Sequence, residues 1–371
     1  MRVTNKMLVD NLLVKLQNSL RRVDLHQEQI ATGKRINRPS DDPEGTARVL
    51  RLRELIADNS RFLENIEDGQ HWLTATEAAL ADSVEILAQL RSKVVQAQND
   101  TLTADERRDM AKWAADYLQQ LVQVANRQEQ GKYVFGGTQN ATPPYALTNL
   151  VNDEAFVAQL GSAVELAHTE LSAGSIVVTD GGGTTFVEGV DYEVDYDRGT
   201  ITALAGGAMS EGATYYVSYR LASPLHLVTN PAGITGEVKR QIGDGAIVTV
   251  NVRGPEAYAG DVDVFAVILQ LKNALVRNDH DAMRQGLEGL DLTLDQVLAA
   301  QAWVGLQYDH LSMMHDRLSN EAILLQRLLS QVADTDVAEA VVRLQEQRVS
   351  YQAALGVTAS ISQMSLLNYL D

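Results

Sequence analysis

"ATGKRINRPSDDPEG", residues 31–45, interrupts an otherwise helical start with glycine, two prolines and a knot of charge. Gly33 is placed to stop a first helix, Asp42 to cap the next, and Pro43 to occupy its first helical position. Lys34, Arg35 and Arg38 can meet carboxylates of a neighbouring molecule or of the joint's own Asp41 and Asp42. The segment therefore reads as a stiff joint between two helices.

The other prolines map the chain outward from this joint. The seven are Pro39, Pro43, Pro143, Pro144, Pro224, Pro231 and Pro255, so residues 44–142 and 256–371 lack the strongest helix breaker and are expected to be helical. Before the joint, Val9, Leu13, Leu16, Leu20, Val23 and Ile30 recur at four-three spacing, with Gln27 the polar member of the series. After it, Leu52, Asn59, Ile66, Leu73, Leu80, Leu87 and Val94 step by seven, with Leu55, Phe62 and Leu90 on the adjoining row. One helix over 44–99 would be about 84 Å long, and such a rod must lie against others. Thr103 and Glu106 fit a capping box for a third helix, with Trp113, Tyr117, Leu121 and Val124 on one face and Gly131 as its stop.

From Met283 through Leu287, Leu290, Leu294, Val297, Gln301, Val304, Tyr308, Leu311, His315, Leu318, Ala322, Leu325 and Leu329 to Val332, four-three spacing runs for seven heptads, the mark of a coiled-coil strand. After a break at "ADTD", Asp336 and Glu339 can cap a last helix that carries Val337, Val341, Leu344, Tyr351 and Leu355. Val342, Val349 and Ala353 make that helix apolar on a second side, so one partner would not cover it.

The middle differs in composition. Sixteen of the 26 glycines lie between residues 142 and 260, with 14 acidic and 5 basic residues. "SIVVTDGGGTTFVEGVDYEVDYDRGTITAL", "ATYYVSYRL" and "AIVTVNV" read as strands, and residues 150–170 as briefly helical. The fold class is thus mainly α with β: a discontinuous, elongated α-helical coiled-coil domain formed by both termini, with an inserted β-rich domain.

Composition excludes several functions. A net charge of −18 argues against a basic nucleic-acid surface, and the absence of cysteine removes disulfides, thiolate metal sites and cysteine nucleophiles. No run of 18 apolar residues is present, and membrane insertion is not expected. Asp191, Glu193, Asp195 and Asp197 line one face of a strand, but Arg198 stands where a calcium loop needs glycine, so a solvated face is expected. "DGGGTT" at 180–185 has no lysine placed for phosphate and reads as a turn. His310 and His315, five apart, lie about 140° apart around a helix, unlike a zinc pair. Gln301 and His315 are instead expected to fix register on the seam. No catalytic, metal or cofactor site is expected.

Residues 31–45 resemble the N-terminal signature of the bacterial flagellin superfamily in the order glycine, Lys-Arg-Ile-Asn, Asp-Asp-Pro. "MRVTNKML" at 1–8, "GKYVFGGTQNATPPY" at 131–145 and "DTDVAEAVVRLQEQRVSYQAALGVTASISQMSLLNYL" at 334–370 are similar to its hook-filament junction branch. The likeness covers the first 145 and about the last 135 residues; 150–230 shows none, and 231–260 is only loosely similar.

The resemblance implies a flagellar structural subunit that is extracellular and exported without a cleaved signal peptide, escorted by a chaperone. Its neighbours would be copies of itself in a ring, the other junction protein and flagellin. Residues 1–40 and 333–371 are expected to be disordered or loosely helical in the monomer and to form a coiled coil on assembly through Val9, Leu13, Leu16, Leu20, Val23, Ile30, Val337, Val341, Leu344, Tyr351, Leu355, Leu366 and Leu367. Residues 41–142 and 261–332 would form the rod, and 143–260 an acidic outer domain. The rival readings are a filament flagellin and a cytoplasmic coiled-coil scaffold with a ligand-binding β-domain.

Overall fold

The computed structural model describes residues 5–98, 102–230 and 234–370; of residues 5, 6, 8, 9 and 361–370 it describes the backbone alone. Three helices lead the chain: α1 (Asn5–Thr32), α2 (Pro43–Ala97) and α3 (Ala104–Ala125). Thirteen strands follow: β1 (Gln128–Glu129), β2 (Lys132–Tyr133), β3 (Tyr145–Thr148), β4 (Leu150–Val157), β5 (Ala163–Glu165), β6 (Val177–Thr179), β7 (Thr185–Phe186), β8 (Tyr192–Asp195), β9 (Thr200–Ala203), β10 (Thr214–Arg220), β11 (His226–Thr229), β12 (Lys239–Gly243) and β13 (Ala246–Thr249). The chain returns to helix in α4 (Gly254–Tyr258), α5 (Val264–Arg277), α6 (His280–Ala333) and α7 (Val337–Leu370). It divides into two units, Met1–Glu64 with Asp316–Asp371, and Asn65–His315. These boundaries fall inside α2 and α6.

The seven-residue steps appear directly as burial. On α6, Met283, Leu290, Val297, Val304, Leu311, Leu318 and Leu325 are all buried, while Leu287, Leu294 and Leu329 are half-buried. On α2, Asn59, Ile66, Leu73, Leu80, Leu87 and Val94 are buried. In the first unit Asn59 Nδ2 donates to the Leu318 carbonyl at 3.2 Å, a polar tie between two apolar seams. In the second, Val250 and the α6 residue Leu311 approach Gly69 so closely that a Cβ there would lie 3.0 Å from each, and Arg91 pairs with Asp291 at 2.5 Å. His315 Nε2 stands 3.8 Å from Glu67, and the cross-helix bond of the seam is made by Asn59 rather than at Gln301.

Helix α3 opens with both bonds of the Thr103–Glu106 capping box. It buries Ala111, Ala114, Leu118, Leu121 and Val122 and packs along α5. Trp113 lies outside that face, 42% exposed under the Lys93 ammonium. The helix ends at Ala125, and Gly131 instead makes the left-handed turn of the β1–β2 hairpin.

All paired strands in the ladders are antiparallel: β4-β10-β6-β7, β5-β9-β8, β3 with β11, and β12 with β13. Residues 150–170 hold the strands β4 and β5 with loops between and after them, not a helix. A left-handed Asp153 and a register shift opposite Val217 and Tyr219 place a bulge in β4, so Val151 and Phe156 both turn inward although five residues apart. In β10 the alternation is regular: Tyr215, Val217 and Tyr219 are buried beside Phe156, Val178 and Phe186.

Where the chain leaves the helices, Phe135 and Tyr145 meet Tyr258 and Phe265. Phe135 and Tyr258 are 5.1 Å apart by ring centroid, and Tyr145 and Phe265 4.9 Å. Ser83 of α2 bonds the Tyr258 hydroxyl at 2.9 Å, fixing this cluster to the rod.

Leu290→Ala should cost about 2–5 kcal/mol of unfolding free energy, whereas Leu306→Ala, on an exposed face of the same helix, should stay within about 0.5 kcal/mol. Urea titration of the two variants checks the seam; equal losses would contradict it.

Candidate assembly surfaces and the joint

The joint is a clasp between two breaks in the chain. Gly33 takes φ +68° and ends α1. Lys34 then bridges Asp334, with Arg35 N donating to the Ala333 carbonyl at 2.7 Å and Thr335 N to the Gly33 carbonyl at 3.0 Å. The Lys34 ammonium lies 2.5 Å from Asp334, and the Arg35 guanidinium donates to the Val332 carbonyl at 2.9 and 3.1 Å while standing 3.2 Å from Asp42. Arg38 turns to Glu28 at 3.2 Å.

Among the described residues no cation pairs with Asp41. Its carboxylate takes the backbone N–H of Arg38 at 2.8 Å and of Asn37 at 3.2 Å. Asp42 caps α2 through the Gly45 N–H at 2.8 Å, a bond that, with the nearby Arg35 charge, holds its carboxyl below the usual carboxylate range. Asp334 is likewise lowered, chiefly by Lys34. Asp336 caps α7 through the N–H groups of Ala338 and Glu339, while Glu339 itself pairs with Arg343.

Beyond the clasp, α1 packs along α7, but the two cover little of each other. Among the described side chains Val23 is the buried residue of α1 and Ala340 that of α7. Leu16 and Ile30 are half-buried and Leu13 and Leu20 exposed; on α7 Leu344 and Tyr351 are half-buried and Val337, Val341 and Leu355 exposed. Val342 and Val349, on the second side of α7, are 58% and 57% exposed. The side chains of Val9, Leu366 and Leu367 lie outside the described residues.

A second arrangement escaped sequence reasoning. Lys272, 2% exposed in the apolar helix α5, pairs with Glu170 at 2.6 Å and donates to Thr169 Oγ1 at 2.7 Å. Asn273 donates to the Ala167 carbonyl, and Arg277 to Glu165 and the carbonyls of Leu166 and Arg198. These side chains tie α5 to the loops around β5 and β9. The signal available was a lysine and an asparagine inside "VFAVILQLKNALVR". Burial lowers the Lys272 pKa, opposed by Glu170.

Beside them His168 Nδ1 meets the Tyr219 hydroxyl at 2.9 Å, and that hydroxyl donates to Glu154 at 2.5 Å. Burial, with His226 and Lys272 close by, pushes His168 down to about 4. Asp191, expected on a solvated face, is buried and accepts the N–H groups of Val187 and Ala208; Glu193, Asp195 and Asp197 are exposed. Asp180 folds the "DGGGTT" turn by accepting from Gly182 and Thr184. Among the described residues no three His, Asp or Glu side chains converge as a metal site requires, and no helix is long and apolar enough to cross a membrane.

Comparison with known proteins gives this arrangement a family. The bacterial flagellin N-terminal helical region matches residues 3–140, and the bacterial flagellin C-terminal helical region matches residues 287–370. The chain belongs to the bacterial flagellin family. Within that family, it is similar to flagellar hook-associated protein 3 of Escherichia coli (strain K12), 22% identical over 368 residues that span 99% of this chain and 98% of that protein. Flagellin of Bacillus subtilis (strain 168) is 30% identical over 170 residues, 44% of this chain and 53% of the relative. In fold, the chain resembles a solved flagellar hook-associated protein of Vibrio parahaemolyticus, with TM-score 0.52 and 17% identity over 79% of this chain and 100% of that one. Residues 135–229 match a protein family of unknown function.

Gly45→Ala should open the clasp, because a Cβ there would sit 2.6 Å from Ile36 Cδ1 and closer still to the Asp42 carboxylate. Amide exchange over residues 34–46 should rise at least about tenfold while the α6 seam keeps its protection; unchanged exchange would show that the clasp tolerates the methyl group.

His168 sets an acid limit on the second unit. Its folded pKa lies below the unfolded value of 6.5, so its contribution is complete above pH 6.5 and is lost as pH falls toward 4. The loss should reach at most about 3 kcal/mol, and His168→Gln should flatten that part of a stability profile measured by denaturant unfolding.

Proposed function

We infer that the chain is a structural subunit of the bacterial flagellum that joins hook to filament. The observation that carries this reading is full-length similarity to flagellar hook-associated protein 3, together with terminal helices whose apolar faces α1 and α7 leave largely open. Two helices that bury one described residue each gain little from burial to offset their ordering entropy. Further helices from adjacent molecules would supply the missing cover. The same faces suit a filament flagellin, but the flagellin match spans 44% of the chain.

On this reading the exposed residues of α1 and α7, among them Leu13, Leu20, Val341 and Leu355, form the contacts of a ring of copies. The second junction protein and flagellin stand above and below. Export in an unfolded state, without a cleaved signal and with a chaperone on the C-terminal segment, follows from the same assignment, and no catalytic role is assigned. The clasp sets where the terminal pair ends and the rod begins. The acidic β-rich region faces outward.

A strain lacking the gene should carry hooks without filaments and lose monomeric flagellin to the medium; normal filaments would overturn the reading. Excision of residues 150–220 should leave junction formation intact, since Asn149 and Leu221 already meet through a 2.7 Å backbone bond and Lys272 would be released to water rather than stranded. Loss of filaments in that strain would place an assembly contact in the β-rich region.

A further inference from the structure

Helix α6 carries a stripe that its heptad seam does not use. Leu292, Asp295, Gln296, Ala299, Ala300 and Trp303 follow one another at helical spacing, and they form one wall of a groove of about 890 Å³. The facing wall comes from the β13–α4 segment and the loop before α5, through Val252, Arg253, Glu256, Asp261 and Val262. Gln296 joins the walls, accepting from Val262 N and donating to the Ala257 carbonyl, each at 3.2 Å. Leu292 is 56% exposed although it stands at the groove's edge.

The polar groups of this groove divide into two sets. Glu237 is engaged by Lys239 and Glu256 by Arg253. Asp261 and Asp295 are exposed carboxylates, and the half-buried Trp303 lines the same groove. Two carboxylates and an aromatic ring are the chemistry that recognises a guanidinium. Apolar ground around them would take aliphatic neighbours of that arginine.

The chain presents such a ridge on its other unit. On α2, exposed Arg51 has Leu55, 45% exposed, one turn after it and Arg48 one turn before it on the same side of the helix, while Leu50, 60% exposed, lies about 100° round from it. Charge runs the same way at larger scale. Met1–Glu64 with Asp316–Asp371 holds 16 basic and 16 acidic residues, whereas Asn65–His315 holds 15 basic and 33 acidic, the whole of the net −18. A field of that size draws the arginine ridge of one molecule toward the acidic unit of another.

We propose that the groove of one copy receives the Arg51–Leu55 ridge of a second copy, with the Arg51 guanidinium between Asp261 and Asp295. Each copy carries one ridge and one groove, so when these engage two different neighbours the contact is head-to-tail and propagates around a ring or helix, whereas a reciprocal pair would stop at a dimer. This contact rests on the junction reading and adds to it an interface outside the terminal helices.

Because the chain has no cysteine, one engineered pair reports the contact without background. Flagella from cells that produce the Arg51→Cys, Asp295→Cys chain, treated with a short bismaleimide, should yield a ladder of dimer, trimer and higher species. Either single variant should stay monomeric. Normal hook-tip location without a ladder, an intrachain link at monomer mass, or a link to a different protein would each overturn the contact while leaving the junction reading in place. Absence of the unsubstituted chain from hook tips would overturn both. Independently, Arg51→Glu and Asp295→Arg should each lower filament number by about fivefold or more, and the double reversal should restore it to within about twofold; no restoration would refute the pairing.

Discussion

Apolar residues at every seventh position of a long helix cannot be buried by that helix itself, and the rest of this structure answers that constraint. Where α2 and α6 run through the two units, the seams close on other parts of the chain: Ile66, Leu73, Leu80 and Leu87 on one helix, Met283, Leu290, Val297 and Val304 on the other, are all buried. Asn59 adds the polar tie to the Leu318 carbonyl that a purely apolar seam lacks, which limits sliding by a heptad. In α1 and α7 the same pattern meets too few partners. The clasp from Gly33 to Asp42, locked to Val332, Ala333 and Asp334, marks the change between these two conditions.

The periodic parts were legible because helical burial follows sequence spacing directly. Met283 to Leu325 by sevens is a core list as well as a pattern. Gly33, Asp42 and Pro43 could be placed because each acts on its own backbone or on neighbours within a turn. Partners outside the joint were not legible: Lys34 meets Asp334, 300 residues away, and Arg38 turns back to Glu28 in α1. Spacing in α3 misled, since Trp113 is large and apolar yet the helix packs through Ala111, Ala114 and Leu118. Small residues permit the close approach to α5 that a Trp113 face would prevent.

The β-rich region shows a different limit. Bulges and left-handed residues break the two-residue period, as at Asp153, and an intended strand then loses the alternation that would mark it in the sequence. Attachment of this region to the helices is polar and buried: Lys272, Asn273 and Arg277 hold loops through carbonyls and Glu165 and Glu170. A buried cation that loses its carboxylate is strongly destabilising, so the attachment has a defined seat. Asp191 works similarly within the region, with two backbone N–H groups as its partners. Such groups read as surface charge in a sequence because nothing local distinguishes them.

Incomplete burial at the ends is the physical content of the assembly account, and amide hydrogen exchange measures it. The account predicts that backbone amides of α1 and α7 exchange within seconds in dilute monomer and become protected by about a hundredfold or more in isolated hook-filament junctions, while the α2 and α6 seams are protected in both. Strong protection of both terminal helices in the dilute monomer would contradict it, because the pair would then be stable without neighbours.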